Sequence, residues 1–297
     1  MEPLPESSIS ASRLVGLSKK GFINDTERLA AVVPSSRPVQ RPNDGEVISF
    51  PAFHERGLGL PVHPFLRGIL IYYGLELHHL APSGILHLAA FVTLCEAFMG
   101  IVPHFLLWKH FFHVRGATSV RDGRPLPIFG GAVIQLRSGK GGDYFSLPLL
   151  SSNKGWSFEW FAIRNFAPEL PAFSGAAPER RDCWGWGPSK DEVPRLAPIL
   201  EVVAALKLEG LTGETLLRTF FSRRVQPLRH RALPMWMYIG LTDSSRESEL
   251  ELTKSKIDAR VRSVLDTRGL DRVGSQPVPL AADRPSTRVS FRSCLLF

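Results

Sequence analysis

Over residues 50–114 the density of aliphatic and aromatic side chains rises sharply, and prolines and glycines cut the stretch into pieces of helical length. So much apolar surface must be buried between helices. Pro64 suits the first position of a helix over 64–73 that Gly74 ends; Ser83 can cap a second over 84–98, ended by Gly100; Pro103 opens a third over 103–113, before Gly116. The second is apolar almost all round, which predicts a central helix. The third is amphipathic: Phe105, Trp108, Phe111 and Phe112 share one face, with Lys109, His110 and His113 on a wet face opposite. The longest apolar run, 85–99, is shorter than the roughly 20 residues of a membrane span and is broken by His87, Thr93 and Glu96, so no membrane partner is expected.

Residues 1–44 are rich in Ser, Pro and charge and predict a flexible arm with one short helical segment near 25–33. Within 127–163 the period shortens to two. "GGAVIQLR" predicts a strand, and "YFSLPLL" with "WSFEWFAI" predicts a hairpin turning at 151–155, because Trp156, Phe158 and Trp160 alternate with Ser157 and Glu159. After a Pro- and Gly-rich link, the Ser-x-x-Glu box of Ser189 and Glu192 starts a helix to about Lys207, and Thr212 caps another to about Arg223. Residues 241–297 are rich in Ser and Arg and predict a basic, largely disordered tail with one helical stretch at 247–264. The expected class is α+β: a mainly helical domain over 45–240 with a small antiparallel sheet, flanked by disordered tails.

The 297 residues carry a formal charge of +8, so an anionic partner, nucleic acid first, is the expectation. Cys95, Cys183 and Cys294 are isolated and odd in number, which fits a reducing compartment and neither a disulfide framework nor a cysteine zinc site. "MEPLPESSIS" has no apolar core of a signal peptide, so an intracellular location is expected, the nucleus ahead of the cytoplasm.

Eight of the nine histidines lie between His54 and His113. Adjacent His78 and His79 are expected to diverge. His110 and His113 have a ligand spacing, but Lys109 between them repels a cation. His87 and His104 predict partly buried, hydrogen-bonded rings. No metal, cofactor or small-molecule site is expected. "SGKGG" at 138–142 lacks the earlier glycine and the following Ser or Thr of a phosphate loop, and predicts a tight turn. Nucleophile elbows, H-E-x-x-H and G-x-G-x-x-G are absent, which predicts a protein without catalysis. The candidate nucleic-acid residues are Arg218, Arg223, Arg224, Arg229 and Arg231 in "LLRTFFSRRVQPLRHRALPMW", where Phe220, Phe221 and Trp236 interleave with the cations. The competing reading packs those aromatics inward and pairs the arginines with Glu209 and Glu214.

The block "FHERGLGLPVHPFLRGILIYYGLELHHLAPSGILHLAAFVTLCEAFMGIVPHFLLWKHFF", residues 53–112, resembles the domain of plant gypsy-type transposon (retrotransposon-derived) proteins. "GGAVIQLR", "KGWSFEWFAI" and "GLTGETLLRTFFSRRVQPLRHRALPMWMYIG" follow in the family's order, and "LVGLSKKGFI" with "RPNDGEVISF" is similar to its N-terminal arm, so the resemblance spans about residues 13–246. It implies that the histidines are a family pattern without transferable metal chemistry. The chain shows none of the polymerase, protease or integrase signatures of a mobile element. The resemblance therefore implies a transposable-element-derived, non-enzymatic, gag-like protein with protein contacts or self-association and weak nucleic-acid binding. The alternative is a protein-interaction module or element remnant that binds no nucleic acid.

Overall fold

The computed structural model describes residues 4–19, 22–23, 41–60, 62–117, 126–147, 149, 155–165, 170–223 and 254–264. Within them the architecture is α+β, with helices dominant and two small antiparallel sheets. The helices are α1 (Ala11–Lys19), α2 (Pro51–His54), α3 (Pro64–Tyr73), α4 (Pro82–Thr93), α5 (Phe105–Phe111), α6 (Val193–Leu208), α7 (Gly213–Arg223) and α8 (Lys254–Val264). The strands are β1 (Glu46–Ser49), β2 (Phe112–Gly116), β3 (Ala132–Leu136) and β4 (Phe161–Arg164). No helix among the described residues is long and apolar enough to cross a membrane.

The central helix is α4. Ile85, Leu88, Ala89, Phe91 and Val92 have no exposed surface, and the buried Thr93 hydroxyl donates to the Ala89 carbonyl at 2.8 Å, one turn back. Its start differs from expectation: Pro82 occupies the first turn, so Ser83 lies inside the helix. Its end also differs, since Leu94–Phe98 widens into a π turn before Gly100. Against α4 lies an aromatic layer from α5 and β2, in which Trp108 stacks on Phe112 at 4.3 Å and meets Phe91 edge-on at 5.2 Å.

Helix α3 ends as its sequence predicts, with Gly74 left-handed at φ 64°. A β-carbon there would also fall on the Arg181 guanidinium. Gly74→Ala should therefore lower stability by about 1–2 kcal/mol or more, which thermal denaturation would register. The carbonyl of Tyr73, left over at the helix end, accepts from Trp184 Nε1 at 2.9 Å.

The sheets correct two expectations. Helix α5 stops at Phe111, because Phe112 turns extended and opens β2, which pairs with β3 from Phe112↔Leu136 to Gly116↔Ala132. Tyr144 and Phe145 form no hairpin with residues 156–163. Instead Trp156–Phe158 is a 3₁₀ turn and β4 pairs with β1, Glu46↔Arg164 to Ser49↔Phe161. The 151–154 part of the expected hairpin turn lies outside the described residues.

The described parts of the two expected tails are packed. Leu4, Ile9 and Leu17 are buried; Ser7 Oγ donates to the Trp160 carbonyl at 2.5 Å and accepts from its N–H at 3.1 Å; Arg13 bridges Glu55 at 2.8 Å and Glu159 at 3.4 Å. An apolar side chain every few residues in an otherwise polar arm is enough to dock it. At the other end α8 lies on α7 with Val261 and Val264 buried. The helix expected at 25–33 lies outside the described residues.

Candidate nucleic-acid interface

Four of the histidines, His54, His63, His79 and His104, hold backbone. His63 caps α3, Nδ1 accepting from the Phe65 N–H at 3.1 Å, so Nε2 carries the proton and donates to Glu96 Oε1 at 2.9 Å. His104 caps α5 by accepting from the Leu107 N–H at 3.3 Å. His54 bridges the Ser49 hydroxyl (2.8 Å) and the Leu58 carbonyl (2.9 Å), and burial pushes its pKa down to about 4. An imidazole with an acceptor nitrogen does what Asn or Asp does at a helix start. His87 is half-buried, and its Nδ1, sealed from solvent, makes no hydrogen bond.

His78 and His79 do not diverge. Their ring centroids are 4.2 Å apart, and with Glu76 each offers a potential metal-ligand atom within 4.8 Å of the others. The 3₁₀ turn Leu77–His79 brings them together through a capping box in which the Glu76 N–H donates to His79 Nδ1 at 3.0 Å. His79 Nε2 then donates to the Ala176 carbonyl at 3.0 Å, and Glu76 Oε2 accepts from the Ser174 N–H at 2.8 Å. His79 thus has both ring nitrogens committed, and the group pins residues 174–176 to the turn. Burial lowers His79 to about 4; burial and the neighbouring His79 ring push His78 further down; burial raises Glu76.

The arginine run is divided by the structure. Phe220 and Phe221 have no exposed surface and are core residues, so they offer no face to a base. Arg218 pairs with Glu214 one turn back at 2.7 Å and with Asp258 of α8, so carboxylates offset its charge. Arg223 ends α7, but its side chain, together with Arg224, Arg229 and Arg231, lies outside the described residues. Because the Arg218 pairs are partly exposed, Arg218→Ala should cost less than about 1 kcal/mol yet loosen α8, seen as faster amide hydrogen exchange over 254–264.

A second cationic surface lies on β2 and β3, whose inner face (Phe112, Val114, Ala132, Ile134) is buried. The outer face carries His113 opposite Gln135, joined at 2.9 Å, and exposed Arg115 opposite Val133. Arg137 continues the face. Its guanidinium donates to three carbonyls: Lys109 at 2.8 Å, Gly185 at 3.0 Å and Trp186 at 2.6 Å. Trp186, whose backbone carbonyl takes one of these bonds, is 57% exposed. In the following loop, which turns at 138–143 as expected, Lys140 pairs with Asp143 at 3.1 Å. Lys109, expected on a wet face, is buried and reaches Glu192 at 3.6 Å. Burial, then Arg137 and Arg115, lowers His113; burial, then Lys140, lowers His110, with Arg137 adding to the effect and Asp143 opposing it.

Residues 47–116 match the family described as "Putative gypsy type transposon". Over that segment the chain is similar to a transposable-element-derived domain. No curated protein and no solved structure gives a significant match. The gypsy-type segment begins in β1 and ends on the last residue of β2. It includes the histidine caps, the core helix α4 and Arg115, and stops before β3 and α7.

Proposed function

We propose that this transposable-element-related chain is an intracellular, gag-like protein that acts without catalysis, making protein contacts and binding nucleic acid weakly through charge. The observation that carries the reading is a cationic face bonded to the backbone of the exposed Trp186, in a chain of net charge +8. The commitment of His54, His63 and His79 to caps and loop anchors supports a structural rather than catalytic use of the histidines. One observation favours the second reading, an interaction module that binds no nucleic acid: Arg218 is offset by Glu214 and Asp258, with Phe220 and Phe221 buried beside it.

Binding of the full chain to labelled single-stranded DNA and RNA across a salt series separates the two. The first reading expects affinity that falls linearly in log–log form, with a slope of about two to four counterions. Undetectable binding at low salt would leave the interaction module.

A further inference from the structure

We propose that the outward face of the β2–β3 ribbon, completed by Trp186, is the surface that takes single-stranded nucleic acid. The inference rests on the nucleic-acid reading above and places the contact on a surface other than the arginine run.

Three features support it. The first is charge. Neither Arg115 nor Arg137 has a carboxylate within ion-pair distance among the described residues, whereas Arg218 has two and Lys109 and Lys140 have one each. An anion at Arg115 or Arg137 therefore competes with no internal carboxylate among the described residues.

The second feature is preorganisation. Three carbonyls fix the Arg137 guanidinium, but a guanidinium has five N–H donors, and the other two remain for phosphate oxygens. Carbonyl contacts hold the group in place without neutralising it. They also tie the end of the ribbon to the backbone of the loop bearing Trp186, and β2 lies against the 182–185 turn of that loop.

The third feature is the indole itself. Most large aromatics among the described residues are in the core: Trp108, Trp160 and Trp184 are all at most 2% exposed, against 57% for Trp186. An exposed tryptophan on the loop whose backbone holds the Arg137 guanidinium supplies, with that cation, the two elements of single-strand recognition, a stacking platform and a phosphate contact. The ribbon, about 14 Å long at about 3.4 Å per residue, has covered edges: the 182–185 turn lies along β2, and Leu80 bridges Ala132 of β3.

The test uses the full chain and a fluorescent oligothymidylate. Arg115→Glu should reduce the salt slope by about one to two counterions and Trp186→Ala should weaken binding roughly tenfold, while Arg115→Lys and Trp186→Phe retain most of it. Both side chains are exposed, so thermal melting should be unchanged, and the conservative pair guards against misfolding. If the native chain binds but Arg115→Glu and Trp186→Ala bind equally well, with affinity lost on reversing Arg223 and Arg224, the ribbon assignment is overturned and the nucleic-acid reading stands. If poly-glutamate competes as well as the oligonucleotide and Trp186→Ala is silent, the face is a docking site for an acidic protein and the single-strand assignment fails. No binding by the native chain at low salt would remove the reading on which the inference rests.

Discussion

Replacing Trp108 by alanine is expected to destabilise the fold by about 3–5 kcal/mol, a large part of the 5–15 kcal/mol typical of a domain. Trp108 is fully buried and connects three elements: it stacks on Phe112 of β2 at 4.3 Å and meets Phe91 of α4 at 5.2 Å and Phe65 of α3 at 5.8 Å, both edge-on. Those neighbours belong to α3, α4 and the start of β2, which cannot close on a cavity that size without moving one another. Urea denaturation would report the loss as a lower midpoint. Trp108→Phe, which keeps a ring in the layer, should recover more than half. A loss below about 1 kcal/mol for the alanine variant would mean that the layer is not what joins α3 and α4 to the ribbon.

The second large effect is acid lability. His54 and His79 are held neutral, their pKa values lowered from the ordinary 6.5 to about 4, and His78 is displaced in the same direction. Burial comes first in each case. The unfolded chain takes up protons near pH 6.5, whereas the folded chain refuses them until about pH 4. The stability that comes from keeping these rings neutral is therefore fully present above pH 6.5 and lost as pH falls toward 4. The expected gradient is about 1.4 kcal/mol per pH unit for each histidine, or several kcal/mol across the window for the group. A circular-dichroism titration should show unfolding beginning near pH 5, with His54→Gln moving it to lower pH by removing one titrating ring. Full stability down to pH 4 would show that these rings are not held neutral.

What could be read from the chain depended on whether the signal was local. Pro64 and Gly74 bracket α3 because each fixes its own backbone angle, and Thr212 and the Ser189–Glu192 pair announce α7 and α6 through contacts three residues apart. Pairings across long separations could not be read in this way. β1 and β4 are more than 110 residues apart, and the alternation of Trp156, Phe158 and Trp160 suggested a hairpin where a 3₁₀ turn precedes the strand. The site was obscured for a related reason. His113 follows Lys109 and His110 at a spacing that reads as one helix face, so the switch to β2 at Phe112, which puts His113 opposite Gln135 and Arg115 opposite Val133, is invisible until β3 is in place. Arg137 and Trp186 are 49 positions apart and meet through a backbone carbonyl, for which side-chain patterns carry no signal. In the arginine run the periodicity allowed both a binding and a packing reading. Asp258, arriving from the expected tail, pairs with Arg218.

The most direct test is ultraviolet cross-linking of the full chain to oligothymidylate at low salt, followed by mapping of the modified peptides. Single-strand binding on the β2–β3 face predicts adducts on the segment that carries Trp186, suppressed by added salt. Adducts confined to residues 218–236, or none at all, would contradict it.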